Sequence, residues 1–162
     1  MDLNHVAAVG PSGFILITQN GGQSWVYRNN KVAGYAGFNS NIAYANNNVL
    51  YVASENPNTG PAGQSVYVVK SIDGGVTWKA ASNGLPIAPI SRLLVAPNDL
   101  SGNTVYAATF LGVYRTVDGG ASWTQYGAGM PTVQISDLYM PADGSFVRAS
   151  TYGRGVWDIP VQ

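Results

Sequence analysis

Ser71-Ile72-Asp73-Gly74-Gly75-Val76-Thr77-Trp78 is the stretch that decides the fold of this chain, and it recurs. A second copy is Thr116-Val117-Asp118-Gly119-Gly120-Ala121-Ser122-Trp123. An earlier copy, Thr18-Gln19-Asn20-Gly21-Gly22-Gln23-Ser24-Trp25, has asparagine where the others have aspartate. We call these segments octets; their pattern is hydroxyl, any residue, Asp or Asn, Gly, Gly, any residue, hydroxyl, Trp. A motif that recurs at a regular spacing indicates a repeat architecture.

Each octet has the composition of a tight turn between two strands. Glycine supplies positive φ without a steric penalty, so the Asp-Gly-Gly core predicts a hairpin. The Asp or Asn side chain can accept hydrogen bonds from nearby backbone N–H groups. The tryptophan is large and apolar with one N–H, and we expect it to pack at a seam between sheets. The octets therefore predict a structural role for six residues, namely Asn20, Trp25, Asp73, Trp78, Asp118 and Trp123.

The octets resemble Asp-boxes, also called BNR repeats. These occur in sialidases, in the xyloglucan-degrading hydrolases of glycoside hydrolase family 74 and in sortilin-type receptors. The resemblance implies that each octet closes the hairpin between the third and fourth strands of a propeller blade, away from the substrate face. The segment Ser150-Thr151-Tyr152-Gly153-Arg154-Gly155-Val156-Trp157 resembles the final-blade signature of the hydrolase and sortilin branch. The resemblance to these families also implies an extracellular or secreted protein, although Met1-Asp2-Leu3-Asn4-His5 is not a signal peptide.

The composition excludes several classes of function. The chain has 162 residues, 46% of them apolar and 10% charged, which is typical of one globular domain. Eight basic and eight acidic residues leave no net charge, which argues against nucleic-acid binding and against docking on anionic membranes. The chain has no cysteine and only His5, so a disulfide framework, a metal site or a Ser-His-Asp triad is not expected. No cofactor motif is present, and no apolar run approaches the 18 residues of a membrane span.

The order of apolar runs and turns predicts an all-β protein made of propeller blades. We expect a partial blade over 1–28, blades over 41–81 and 91–126, and a second partial blade over 135–160. They contain three, four, four and three predicted strands, so one half-propeller domain spans 1–162. No segment of ten or more residues has helical periodicity.

The two partial blades leave the ring open. The first lacks its innermost strand and the last lacks its outermost strand. Fourteen predicted strands per chain make twenty-eight in two chains, which equals seven four-stranded blades. We therefore expect half of a seven-bladed propeller that closes as a homodimer by strand exchange. The alternative is that the chain is the C-terminal piece of a longer propeller, whose remainder closes the ring.

One face of the predicted blades carries the candidate ligand-binding residues. It contains the loops that join second to third strands and the connections between blades. By the resemblance, this face holds the ligand. The candidates for binding a glycan or a peptide there are Tyr35, Phe38, Phe110, Tyr152 and Arg154.

The same face is poor in groups that could catalyse glycoside hydrolysis. The reaction needs two carboxyl groups about 5 to 9.5 Å apart, and Glu55 and Asp137 are the only plausible candidates. The family 74 motif with a catalytic aspartate aligns with Thr109-Phe110-Leu111-Gly112-Val113-Tyr114-Arg115, so Phe110 occupies the acid position. Of the arginines that a sialidase-like site would need, only Arg92 and Arg154 lie near this face. We therefore favour a non-catalytic binding module, with a glycoside hydrolase fragment and a ligand-free scaffold as alternatives.

Overall fold

The computed structural model describes residues 3–10, 13–35, 39–56 and 66–161. Within these ranges the protein is built of strands and turns with no helix, so none could cross a membrane. The candidate residue Phe38 lies outside the described residues.

In the described ranges fourteen strands form four antiparallel sheets, each with its strands in chain order. Sheet 1 contains β1 (Val6–Val9), β2 (Phe14–Thr18) and β3 (Val26–Asn29). Sheet 2 contains β4 (Asn39–Tyr44), β5 (Leu50–Ser54), β6 (Val68–Ser71) and β7 (Lys79–Ala80). Sheet 3 contains β8 (Ile90–Val95), β9 (Val105–Thr109), β10 (Gly112–Thr116) and β11 (Thr124–Tyr126). Sheet 4 contains β12 (Ile135–Tyr139), β13 (Phe146–Thr151) and β14 (Val156–Pro160). The prediction of an all-β protein with blade-like sheets is confirmed.

The first strands of sheets 2, 3 and 4 form the inner layer of the stack. Strand β4 packs against β8, and β8 packs against β12. The second strand of sheet 2, β5, packs against β8, and the second strand of sheet 3, β9, packs against β12. Strand β1 packs against β4 in the same way. Strand β1 is therefore the second strand of its sheet, and the inner position of sheet 1 has no strand among the described residues.

The hydrogen bonds of the octets support the same assignment for β1. The N–H of Gly74 donates to Asn48 O and that of Gly119 donates to Asn103 O, in the loops that precede the second strands. In sheet 1 the N–H of Gly21 donates to Asn4 O, just before β1.

An apolar core fills each of the three seams between neighbouring sheets. Ile15 and Ile17 of sheet 1 contact Val52 and Val69 of sheet 2. The second core contains Tyr51, Val68, Leu93, Val105 and Trp123, from sheets 2 and 3. The third contains Tyr106, Val113, Ile135, Leu138 and Val147, from sheets 3 and 4. Successive sheets are thus held by face-to-face burial of alternating side chains.

The outer strands begin later than the apolar pattern indicates. The pattern predicts a strand over 77–81, whereas β7 contains only Lys79 and Ala80. The N–H of Thr77 donates to Asp73 Oδ1 at 2.8 Å, so it does not pair with a neighbouring strand. The octet therefore uses backbone groups that would otherwise extend the outer strand.

Candidate functional site

The second and third octets use the same set of side-chain hydrogen bonds. The hydroxyl of Ser71 donates to Asp73 Oδ1 at 2.8 Å and accepts from the N–H of Gly75 at 2.8 Å. Thr77 donates to the Asp73 carboxylate through its N–H at 2.8 Å and through its hydroxyl at 2.6 Å. In the third octet Asp118 accepts the corresponding bonds from Thr116 and from Ser122. The hydroxyl and carboxylate side chains of both octets are therefore bonded within the turn itself.

The first octet keeps this geometry with an amide in place of the carboxylate. Asn20 Oδ1 accepts from the Thr18 hydroxyl and from the Ser24 N–H, each at 2.9 Å. The bond to the hydroxyl of the seventh octet residue is reversed in direction. Asn20 Nδ2 donates to Ser24 Oγ at 2.8 Å, whereas in the other octets the hydroxyl donates to the aspartate. The asparagine thus satisfies the same turn without a charge.

The octet tryptophans differ in how far the preceding sheet covers them. Trp123 is 3% exposed, and its indole N–H donates to Ala81 O of sheet 2 at 2.8 Å. Trp78 is partly buried against sheet 1. Trp25 belongs to the first sheet and is 44% exposed. Burial of this residue type depends on the neighbouring sheet and not on the octet.

Three candidate residues occupy equivalent positions on the opposite face, which we call the loop face. Glu55, Phe110 and Tyr152 each follow directly after a second strand, β5, β9 and β13 respectively. All three are exposed, Phe110 at 40% and Tyr152 at 76%. They therefore form a row of equivalent positions across sheets 2, 3 and 4, with the two aromatic residues on adjacent sheets.

A hydroxyl side chain at the end of each second strand holds this row in place. Thr109 Oγ1 donates to Gly112 O at 2.8 Å and accepts from the Leu111 N–H at 3.0 Å. Thr151 Oγ1 donates to Gly155 O at 2.7 Å and accepts from the Arg154 N–H at 3.1 Å. Ser54 Oγ accepts from the Asn56 N–H at 3.2 Å.

Backbone bonds also tie the row to the connections between sheets. The N–H of Phe110 donates to Pro89 O at 3.2 Å, and that of Tyr152 donates to Gln134 O at 2.9 Å. The two aromatic side chains are therefore presented from anchored backbone.

A serine lies at an irregularity in each of the three inner strands. The strand register shifts around Ser40, Ser91 and Ser136, between Asn39 and Asn41, Ile90 and Arg92, and Ile135 and Asp137. Ser40 Oγ donates to Ile90 O at 3.0 Å and Ser91 Oγ donates to Ile135 O, each on the next sheet. Ser136 Oγ donates to Ser150 O within its own sheet. A bulge that re-aims one side chain thus links successive inner strands.

The residues after these serines are polar and lie on the inner layer. Asn41 Oδ1 accepts from the Leu93 N–H at 2.9 Å. Arg92 Nε lies 3.6 Å from Asp137 Oδ1, and both side chains are exposed. Asp137 Oδ1 also accepts from the Leu138 N–H at 2.9 Å. The Asp137 carboxylate is therefore an ion-pair and hydrogen-bond partner in this structure.

The structure does not bring the two candidate catalytic carboxylates together. Glu55 belongs to sheet 2 and Asp137 to sheet 4, with sheet 3 between them. Face-packed sheets lie about 10 Å apart, so two such steps exceed the separation of about 9.5 Å that the widest glycosidase sites use.

Tyr35 and Arg154 have contrasting surroundings. Tyr35 is half-buried, and its hydroxyl donates to Asn39 Oδ1 at 2.7 Å. Burial raises the pKa of this hydroxyl above its usual value, so it remains protonated. Arg154 is exposed in the turn after β13, beside Tyr152. Of the predicted ligand-binding residues that are described, the structure thus offers Phe110, Tyr152 and Arg154 to a ligand.

A cavity of about 800 Å³ lies on the other face, between the loops at the ends of β4 and β8. Its described lining includes His5, Tyr44, Asn47, Val95 and Leu100, and no Asp, Glu, Lys or Arg. Burial raises the pKa of Tyr44 to about 12. No candidate residue from the sequence lines this cavity.

Sequence reasoning missed the serines of the inner strands. Their signal is present, because each inner strand has serine as its second residue, in Asn39-Ser40-Asn41, Ile90-Ser91-Arg92 and Ile135-Ser136-Asp137. Alignment of the repeats on their octets would expose it. What the alignment cannot show is that the hydroxyl reaches a carbonyl on the next sheet.

Comparison with solved structures places the fold among β-propellers. The chain aligns over 98% of its length with an ancestral GH74 enzyme, at 15% identity and a TM-score of 0.70, and covers 22% of that chain. It aligns over 95% with the GH74 xyloglucanase from Xanthomonas campestris, at 19% identity and a TM-score of 0.67, and covers 25% of that chain. It aligns over 97% with YCF48 bound to D1 peptide, at 20% identity and a TM-score of 0.64, and covers 52% of that chain.

The chain therefore spans between about a fifth and about half of these structures. At such identities the likeness shows the fold alone. No known family model matches the chain, and no curated protein matches it.

Proposed function

We propose that the chain is a non-catalytic propeller module of the Asp-box repeat type, and that its loop face binds an extended polymer. The observation that carries the proposal is the row of equivalent positions that presents Phe110 and Tyr152 from adjacent sheets. Aromatic faces stack on apolar surfaces of other rings, including those of sugars, without requiring charge. A polymer with a repeating unit can contact equivalent sites on successive sheets at the same time, which adds the two weak contacts.

A β-linked glucan chain is the first ligand class to test. Two of the similar structures above are GH74 enzymes, and one of them is a xyloglucanase. The lack of net charge on this chain suits a neutral polysaccharide. The same resemblance underlies our proposal that the protein acts outside the cell.

An extended peptide is the second ligand class. The similarity to YCF48, solved with a bound peptide, favours it. The flanking charges of Glu55 and Arg154 on the loop face would suit polar side chains of a peptide.

The first prediction concerns binding at the two aromatic residues. Phe110→Ala and Tyr152→Ala should each weaken binding of xyloglucan oligosaccharides about tenfold, because each removes one stacking contact of about 1 kcal/mol or slightly more. Calorimetric titration against these oligosaccharides measures the effect. The control is Val117→Ala, since Val117 is 61% exposed in the third octet on the opposite face and should change nothing.

Turnover assays separate this proposal from the glycoside hydrolase alternative. Release of reducing ends from the same oligosaccharides, abolished by Asp137→Asn, would establish an enzyme and contradict a binding module. Binding of an immobilised peptide library without glycan binding would favour the peptide class.

A further inference from the structure

We propose that the outward faces of sheet 1 and sheet 4 are the two halves of one seam, and that a second copy of this chain covers them. Sheet 4 of each copy would pack on sheet 1 of the other. This proposal rests on the fold and on burial, and is independent of the ligand proposed for the loop face.

The outward face of sheet 1 is apolar and exposed. Val6 is 43% exposed, Trp25 is 44% exposed and Tyr27 is 56% exposed. The strand register makes Leu50 of sheet 2 and Val105 of sheet 3 the equivalents of Val6, and both are fully buried. The preceding sheet buries these equivalents, so a sheet is the kind of surface that this face fits.

The face of sheet 4 that points away from sheet 3 is covered by no other sheet among the described residues. Val156 is 63% exposed and Tyr139 is 55% exposed. By register, the equivalents of Val156 are Val68 of sheet 2 and Val113 of sheet 3, which are fully buried against the next sheet. Each end of the stack therefore presents the half of a seam that the other end lacks.

The interior seams show what such a contact contains. In the seam between sheets 2 and 3, Trp123 is buried and donates to Ala81 O. In the seam between sheets 3 and 4, the Ser91 hydroxyl reaches Ile135 O on the next sheet. The corresponding tryptophan at the end of the stack is Trp25, which is 44% exposed.

The outward face of sheet 4 also has charged groups, and these are compatible with a seam. They lie at the register positions that hold Lys70 and Tyr51 in sheet 2 and Arg115 and Tyr106 in sheet 3. Arg148 and Asp158 form a paired contact on that face, with bonds of 2.7 Å. The equivalent layer of the interior also contains a cation against an aromatic ring. Lys70 lies 5.2 Å from the centre of the Tyr51 ring, and Arg115 lies 4.5 Å from that of Tyr126.

A two-fold arrangement satisfies both faces of both copies at once. The contact is head-to-tail, with sheet 4 of one copy on sheet 1 of the other. Two copies therefore close into a ring only if the four sheets of one chain span half of that ring. Each chain contributes four separate sheets, so the closed assembly contains eight sheets. Eight sheets differ from the seven four-stranded blades, closed by strand exchange, that the strand count predicts, because each three-stranded sheet packs as a separate unit.

The second prediction is a dimer that depends on both faces. Light scattering after gel filtration should give twice the 17.0 kDa chain mass. Tyr27→Glu and Val156→Lys should each weaken dimerisation at least about tenfold, because each brings an unpaired charge into an apolar seam. Val117→Lys is the matched control, as an equally exposed valine on the octet face. Circular dichroism checks that each variant remains folded.

Mixing the two variants tests the head-to-tail form. A mixed dimer of Tyr27→Glu and Val156→Lys chains has one unaltered seam, and its other seam carries Lys opposite Glu. Mixing should therefore restore the dimer. A protein that remains at 17.0 kDa at its highest soluble concentration would overturn the proposal. So would a series of larger assemblies, or a dimer that only Tyr27→Glu disrupts.

Discussion

At the scale of single residues, the octets show how eight neighbouring residues can specify a turn. The carboxylates of Asp73 and Asp118 accept hydrogen bonds from donors two and four residues away. These bonds, first those from Thr77 and Ser122, lower the pKa of each carboxyl to about 2. The stability of the second and third octets therefore depends on ionisation of their aspartates.

The third prediction follows from the sign of these pKa shifts. The folded-state pKa lies below the unfolded value of about 3.9, so the stabilisation is fully present above that pH. It should be lost as the pH falls from about 4 to about 2. Urea unfolding from pH 2 to pH 6 measures this dependence. The double variant Asp73→Asn, Asp118→Asn should show a shallower slope, as the uncharged Asn20 turn already illustrates. An unchanged slope would contradict the argument.

The fourth prediction concerns the second glycine of an octet. Gly120 has a φ of +87°, and a Cβ there would lie 2.8 Å from Ala81 Cβ of sheet 2. Gly120→Ala should destabilise the protein by about 2 to 4 kcal/mol, from left-handed backbone strain and overpacking. Gly22 is the matched control, because its φ is +91° and a Cβ there would meet only Trp25, at 3.9 Å. Gly22→Ala should cost only the backbone part, about 1 to 2 kcal/mol. Equal costs in urea unfolding would contradict the packing argument.

At the scale of strands, the inner layer is joined by side chains rather than by a continuous ladder. Ser40 and Ser91 each connect one inner strand to a carbonyl of the next. The bulge in each strand directs the hydroxyl across the seam, so the register shift and the bond belong together. These bonds keep equivalent positions of neighbouring sheets side by side. Glu55, Phe110 and Tyr152 therefore lie in a row.

The fifth prediction tests this connection at the strand level. Ser91→Ala removes the bonds to Ile135 O and Ala108 O and should cost about 1 kcal/mol of unfolding free energy. Ser136→Ala removes one exposed bond within sheet 4 and should cost clearly less. Urea unfolding compares the two, and hydrogen exchange of β12 should increase in Ser91→Ala alone. A larger loss for Ser136→Ala would refute the role of the bridge.

At the scale of the whole molecule, the inner sheets of the stack are covered on both faces and the end sheets on one. Sheets 2 and 3 have neighbours on both sides and contain most of the fully buried side chains. Sheets 1 and 4 each have a neighbour on one side, and the exposed Trp25 and Val156 lie on the other. Solenoid-type stacks bury a continuous core only where both faces are covered. The exposed faces of sheets 1 and 4 are therefore the basis of the dimer that we propose.

The sequence by itself determined the strands, the turns and their repetition. Each octet depends on bonds among residues at most four positions apart, so its composition is sufficient to predict it. The alternation of apolar residues likewise predicts which segments become strands, although the octet turns shorten the outer ones.

Only the tertiary structure decided which residues distant in sequence lie side by side on successive sheets. The assignment of β1 to a second-strand position depends on its packing against β4. The serine bridges and the row that includes Phe110 and Tyr152 depend on how successive sheets stack. The contrast between buried Trp123 and exposed Trp25 has the same origin, because octets of the same pattern acquire different environments from the sheet that lies beside them.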